Sequence, residues 1–229
     1  VQDEQPSTPN TASSITLELN RPAMLPGENI DLTVTVKMKN DGSHANNKWG
    51  SADFFIKSDL ADKLELVNVN SADEKFNKGN YDLSGDFASE NRYTSSLVQN
   101  TDAGYQGFLR FHLEAQSESQ CISATENLVI KMRFKLKSDA SKDADLNFDI
   151  ATSSYNLIAT WGYNGEDGTG IIFTANDNLA IDASGSSAEV RDPSEDNDLD
   201  FLNVIEGKLD GTTEGEEPTK FVTPITVKD

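Results

Sequence analysis

The strictest alternation of apolar and polar residues in this chain runs over Ile30–Lys39, which reads IDLTVTVKMK. Each apolar residue is followed by Asp, Thr or Lys, so an extended strand would carry all the apolar side chains on one side. The Pro26-Gly27 pair just before this stretch is typical of a turn. The pattern predicts a half-buried strand whose apolar face must be covered by a second layer of structure.

Similar but shorter patterns predict further strands on both sides of this one. Two of them are separated by the turn-rich sequence GYNGEDGT, which indicates a hairpin or a long flap. The predicted additional strands are Ile15–Leu19, Gly50–Asp59, Gly107–Glu114, Tyr155–Trp161, Gly170–Ala175 and Asn178–Ala183. The chain is therefore predicted to be all-β.

The two ends of the chain differ in composition from this strand-rich part. Val1–Ser14 is polar and rich in Pro, Ser and Thr, which predicts a flexible lead-in. Asp192–Glu217 carries ten acidic residues and one lysine, typical of a solvated segment. We predict a lead-in over 1–14, a β-sandwich over 15–190 and an acidic extension over 191–229. The extension includes a short helix at Asp198–Leu209 and a closing edge strand.

The charge of the chain restricts its partners. It has 19 basic and 39 acidic residues, giving a net charge of −20. Nucleic acids and anionic membrane surfaces would be repelled, so we expect neither as a partner. No run approaches the roughly 18 apolar residues that a membrane helix needs, so we expect no membrane insertion.

Motifs for catalysis are not apparent in the sequence. We find no phosphate-binding glycine loop, no HExxH pair and no nucleophile elbow. His44 and His112 are the two histidines and Cys121 is the one cysteine. The acidic stretch Asp192–Asp200 lacks the ligand spacing of a calcium loop. Tyr163–Gly170 could wrap a cation through Asn164, Glu166 and Asp167, but its composition is more typical of a plain turn. The chain is therefore predicted to be non-catalytic, without a cofactor and without a metal site.

The order of several motifs resembles the cohesin domain family, whose members are modules of cellulosome- and amylosome-type scaffoldins. A Pro-Gly turn precedes a long strand, an ADF-like strand and an L-E-V-type strand follow, and a later strand ends in a K-S-x-A motif. The corresponding segments are PGENIDLTVTVKMKN, SADFFIKSD, LELVNVNSAD, GFLRFHLE and ENLVIKMRFKLKSDASKDADLNFDI. The resemblance covers about 15–150.

This resemblance implies a jelly-roll-like β-sandwich of about nine strands. It also implies a function, the docking of a calcium-loaded dockerin module carried by a secreted polysaccharide-degrading enzyme. Such a module would belong to a scaffold outside the cell or at the surface of a bacterium.

The resemblance implies docking through the outward side chains of two neighbouring strands. The expected contact residues are Ser51, Asp53, Phe55, Arg110, His112 and Glu114. We expect Phe55 to be an exposed aromatic anchor at the centre of this interface. The alternative is that a loop or tail of the same chain covers Phe55. His112 stands where many cohesins have an apolar contact, so the partner preference is expected to differ.

A second hypothesis is carbohydrate binding, with sugar rings stacked on loop tryptophans. Nearby amides and a carboxylate would bind the sugar hydroxyls of a polysaccharide. The residues concerned are Trp49, Asn47, Trp161, Tyr163, Asn164 and Asp167. The alternative for both tryptophans is that they cap the ends of the sandwich core.

Overall fold

The computed structural model describes residues 13–39, 47–99, 108–141, 144–151, 157–162, 172–174 and 179–192. Within these ranges the chain forms fifteen strands and three short 3-10 helices. The helices are Ala61–Lys63, Gly85–Ala88 and Glu118–Gln120. None of the helices in these ranges is long and apolar enough to cross a membrane.

The strands differ widely in length. In chain order they are β1 (Ser13–Leu19), β2 (Ala23–Met24), β3 (Asn29–Lys37), β4 (Trp49–Lys57), β5 (Leu64–Leu66), β6 (Tyr81–Leu83), β7 (Tyr93–Gln99), β8 (Leu109–Ala115), β9 (Leu128–Leu136), β10 (Asp145–Asn147), β11 (Asp149–Ile150), β12 (Leu157–Thr160), β13 (Ile172–Thr174), β14 (Leu179–Gly185) and β15 (Ser187–Val190). Seven of them have seven to nine residues and form most of the two large sheets.

Two six-stranded sheets make the sandwich. The first has the order β14-β1-β3-β9-β5, with β6 also paired to β9. The second has the order β13-β12-β4-β8-β7, with β11 also paired to β4. A small third sheet has the order β10-β15-β2. Neighbouring strands are antiparallel except β1 with β14 and β15 with β2, which are parallel.

The predicted all-β sandwich is confirmed, but the predicted number of strands is too low. Eight of the fifteen strands in the described ranges have four residues or fewer, too few for an alternating pattern to stand out. β1 begins at Ser13, so the last two residues assigned to the lead-in are part of a strand. The predicted hairpin is present as β12 and β13. The predicted helix and closing strand near the C-terminus lie outside the described residues.

The core between the two large sheets is built from the inward side chains of their central strands. Val34 on β3 and Ile130 on β9 are fully buried, and so are Phe54 on β4 and Phe111 on β8. Burying one such side chain contributes about 1.5–3 kcal/mol. The outward side chains of β4 and β8 are therefore held in place by a core that fixes the alternate residues.

Gly50 allows β12 to lie close to β4. A Cβ atom at this position would lie 2.6 Å from the carbonyl oxygen of Thr160 and 2.7 Å from the backbone nitrogen of Trp161. The pairing of β12 with β4 also shifts register between Ala159 and Thr160. A side chain at position 50 would therefore push backbone against backbone at the end of this strand pair.

Replacing Gly50 by alanine is expected to lower the free energy of unfolding by about 2 kcal/mol or more, because neither backbone can move without disturbing the core. Gly185→Ala is the matched control. Its Cβ would lie 3.3 Å from the Glu18 side chain, which is flexible, and we expect a change of less than about 1 kcal/mol. Urea denaturation of both variants measures the difference, and equal losses would contradict the prediction.

Candidate functional site

The pairing of β4 with β8 brings the six predicted contact residues together. Three pairs stand directly opposite each other across the two strands: Ser51 with Glu114, Asp53 with His112, and Phe55 with Arg110. The residues between them on β4 point into the core. Because successive side chains of a strand point to opposite faces, all six belong to the outer side of this sheet.

β7 extends the same surface by one strand. Thr94, Ser96 and Val98 lie opposite Glu114, His112 and Arg110. We call these nine outward residues of the three strands the β4–β8–β7 face. β7 was not predicted, because its sequence YTSSLVQ is rich in serine and threonine. The inward residues Tyr93 and Leu97 are the signal that would have indicated it.

Asp53 is at the centre of this face and joins the two neighbouring strands. Arg110 binds its carboxylate through two nitrogens, Nε at 2.9 Å from Oδ1 and Nη2 at 2.5 Å from Oδ2. His112 Nδ1 lies 3.2 Å from Oδ2. Only 15% of the Asp53 side chain is exposed. Burial by itself raises the pKa of this carboxyl, but the hydrogen bonds from Arg110 and His112 outweigh it and hold the pKa below its ordinary value.

His112 lies between two carboxylates. Besides the contact with Asp53, its Nε2 lies 3.5 Å from Oε2 of Glu114. The hydrogen bond to Asp53 is the largest cause that raises the pKa of His112, and Glu114 acts in the same direction. A neutral imidazole has one N–H donor and an imidazolium has two. Protonation of His112 therefore determines whether both carboxylates are bound at once.

The expectation of an exposed Phe55 is wrong. Its side chain is 6% exposed. The guanidinium carbon of Arg110 lies over the ring at 5.5 Å from the centroid, a cation–π contact. Arg110 therefore covers Phe55 and binds Asp53 at the same time. The alternative, a loop or tail of the same chain over Phe55, stays a prediction, because the contact that the described residues show comes from the side chain of Arg110 on the neighbouring strand.

A second charged cluster lies on the outer side of the other sheet. Arg133 on β9 binds the carboxylates of Asp31 and Glu74, each through two hydrogen bonds of 2.6–3.1 Å. Lys131 lies 3.3 Å from Asp31, and both cations lie over the ring of the buried Phe76. Because every charge in this cluster has a partner of opposite sign, we interpret it as structural, joining the segment around Glu74 to β3 and β9.

The carbohydrate hypothesis is wrong for Trp49. This side chain is fully buried and packs edge-on against Phe87 with 5.6 Å between ring centroids. Its indole nitrogen donates to the carbonyl oxygen of Glu126 at 2.8 Å. The hydroxyl of Tyr93 donates to the carbonyl oxygen of Trp49 at 3.0 Å. Trp49 therefore closes one end of the core and presents no face to a sugar.

Two of the remaining residues of that hypothesis, Trp161 and Asn47, are among the described residues. Trp161 is half-buried and packs against the core, and Asn47 is also half-buried. Tyr163, Asn164 and Asp167 lie outside the described residues. The structure therefore does not support stacking of sugars at Trp49, while stacking at Trp161 stays a prediction.

Binding is the chemistry that the β4–β8–β7 face supports. In the described ranges, no three His, Cys, Asp or Glu side chains are grouped so that they would hold a metal ion. Cys121 is half-buried, and burial raises the pKa of its thiol, which makes it a poor nucleophile. The charged groups of the face are paired with one another and partly exposed, as in a preorganised binding surface.

Replacing Phe55 by alanine is expected to lower the free energy of unfolding by about 3 kcal/mol, because the ring is buried under Arg110. Val98→Ala is the control from the same face. Val98 is 50% exposed, so its truncation is expected to cost less than about 1 kcal/mol. Urea denaturation checks both values. A loss at Phe55 as small as that at Val98 would contradict the burial of the ring.

The contribution of His112 to stability is expected to fall as the pH rises. Its pKa is raised in the folded chain above the ordinary value of 6.5, so the fold favours the protonated form. This contribution is fully present below about pH 6.5 and is lost as the pH rises through the raised pKa. The advantage of the parent chain over His112→Asn in urea denaturation should therefore shrink from about pH 6 to 8. If the stability difference between the parent chain and His112→Asn grows from about pH 6 to 8, the contact between His112 and Asp53 is contradicted.

No protein-family model and no curated protein sequence matches the chain. Several solved structures that it is similar to are cohesin modules. One is the seventh ScaB type I cohesin of Pseudobacteroides cellulosolvens, at 14% identity and a TM-score of 0.44, with 77% of this chain and 91% of that chain covered. Another is the third ScaC cohesin of Acetivibrio cellulolyticus in complex with the ScaB dockerin, at 12% identity and a TM-score of 0.46, with 78% and 99% covered.

A third similar structure is the OlpA cohesin in its complex with a dockerin, from Clostridium thermocellum. It has 11% identity and a TM-score of 0.43, with 77% of this chain and 99% of that chain covered. These modules are of the family that the sequence motifs resemble.

Proposed function

We propose that the chain is a non-catalytic, cohesin-type binding module that docks a dockerin through the β4–β8–β7 face. One observation carries the proposal. The contact residues expected from the resemblance come from two stretches more than fifty positions apart, Ser51–Phe55 and Arg110–Glu114. The register of β4 against β8 places them as three adjacent cross-strand pairs on one outer surface.

The physical character of this face suits docking of a folded partner. The sheet offers a surface on which Arg110, His112 and Glu114 are between 34% and 55% exposed. Asp53 holds two of them, so little side-chain freedom remains to be lost on binding. Small polar residues, Thr94 and Ser96, flank these groups and leave room for a partner to approach.

The resemblance to cohesins also suggests the partner and the location of the module. The partner would be the calcium-loaded dockerin of a secreted enzyme that degrades polysaccharides. The module would then be part of a bacterial scaffold outside the cell or at its surface. Calcium belongs to the dockerin in this arrangement, so the chain itself needs no metal ion for docking.

Calorimetric titration of the full chain with a panel of calcium-loaded dockerins tests the proposal. We expect at least one dockerin to bind, and EDTA to abolish the binding. Ser96→Arg puts a long side chain into the β4–β8–β7 face and should weaken binding about tenfold or more, equivalent to about 1.4 kcal/mol. Thr35→Arg is the matched control on β3 of the other sheet and should bind as the parent does.

The calorimetric results distinguish an error in the proposed function from an error in the proposed docking surface. If no dockerin binds the parent chain, the proposed function is wrong. If a dockerin binds and the two arginine variants behave alike, the chain docks dockerins through another surface.

A further inference from the structure

We propose that a proton on His112 controls docking at the β4–β8–β7 face, and that the partner places a cationic side chain on Glu114 when His112 is neutral. This inference rests on the proposed function and adds to it the chemistry of the partner and its control by pH. It starts from an arrangement that docking alone does not require, a histidine with a carboxylate at each ring nitrogen.

Asp53 is the carboxylate that keeps its bond when His112 loses a proton. The contact from Nδ1 to Asp53 is 3.2 Å, and the contact from Nε2 to Glu114 is 3.5 Å. Asp53 is 15% exposed and Glu114 is 55% exposed, so water can replace the lost donor at Glu114 more easily than at Asp53. The remaining proton of a neutral His112 therefore stays on Nδ1.

Loss of the other proton frees Glu114. The lone pair of Nε2 then faces the Glu114 carboxylate, and an attractive contact becomes a repulsive one. Glu114 is the most exposed of the four charged side chains of the face, and it can turn towards a partner. Below the pKa of His112, the imidazolium neutralises the same carboxylate.

The groups around His112 make it the proton-sensitive member of the face. Asp53 faces it from β4, Arg110 and Glu114 flank it on β8, and the uncharged Ser96 stands opposite it on β7. The pKa of Asp53 is held below its ordinary value, and a guanidinium does not lose its proton in proteins. Histidine is the side chain whose ordinary titration falls between about pH 5 and 8.

The charge of the chain indicates which kind of partner would bind more tightly when Glu114 is free. The chain has a net charge of −20, which attracts a basic docking surface over long range. Within the face, Asp53 is already bound by Arg110, so the freed Glu114 is the carboxylate that can accept from a lysine or arginine of the partner. Docking of such a partner should strengthen as the pH rises through the pKa of His112.

The first part of the test follows the proton directly. Titration by NMR resolves two histidines in the full chain, and His44→Gln assigns the signal of His112. We expect Glu114→Gln to lower the pKa of His112, because one of its two carboxylate partners is removed. An unchanged pKa in this variant would overturn the inference.

The second part measures docking between about pH 5.5 and 8. The probe is the calcium-loaded dockerin that binds the parent chain most tightly in the panel, with excess calcium at every pH. We expect the affinity of the parent to rise about tenfold over this range. His112→Asn should lose this dependence, and His112→Lys, which stays cationic, should bind weakly at every pH. Glu114→Gln should bind weakly at pH 8 and lose the dependence as well.

Several results would overturn the inference. If His112→Asn keeps the pH dependence of the parent, the controlling proton is elsewhere. If docking weakens as the pH rises, the partner does not use Glu114 as its acceptor. Either result leaves the proposed function standing, because docking is still observed. Absence of docking at every pH would remove both proposals.

Discussion

The register of β4 against β8 is the constraint on which the rest of this surface depends. A shift by one residue would turn Asp53 into the core and Phe54 out to solvent. Such a shift is prevented by the core, where Phe54 and Phe111 stand opposite each other with 5.3 Å between their ring centroids. The charged pairs on the outside are therefore a consequence of apolar packing on the inside. The outer residues can change without altering the register that places them.

The two large sheets carry similar charged clusters that have different roles. On the first sheet, Arg133 is saturated by Asp31 and Glu74, and the cluster covers the buried ring of Phe76. On the second sheet, Asp53 also receives a guanidinium, but its other partner is a histidine that can lose a proton. A closed network of permanent charges fixes one arrangement. A network in which one member titrates near neutral pH has two arrangements, which is what a controllable binding surface needs.

Much of this fold could be predicted from the sequence, because alternation is a strong signal in long strands. The pattern in Ile30–Lys39 predicted β3, and the parity of β4 and β8 predicted which side chains face outward. The alternation of inward and outward positions does not show which other side chains cover an outward residue. For that reason the exposure of Phe55 was predicted wrongly. The burial of Trp49 agrees with the alternative that this tryptophan caps the core. The sequence left both interpretations open because the neighbours of Trp49 in the sequence are polar, while its packing partner Phe87 is far along the chain. Most strands of two to four residues carry too few positions for a pattern, and β12 and β13 were predicted because a turn-rich sequence separates two apolar stretches.

Arg110 connects the stability of the sandwich to the properties of its outer face. It shields the ring of Phe55 and also holds Asp53, and neither contact changes with pH in the range where histidine titrates. The fixed part of the face therefore needs no help from His112 to keep its shape. When His112 loses a proton, the only contact of the network that is lost is the one to Glu114, whose carboxylate is exposed to solvent. This division lets the surface change its charge while the core beneath it stays the same.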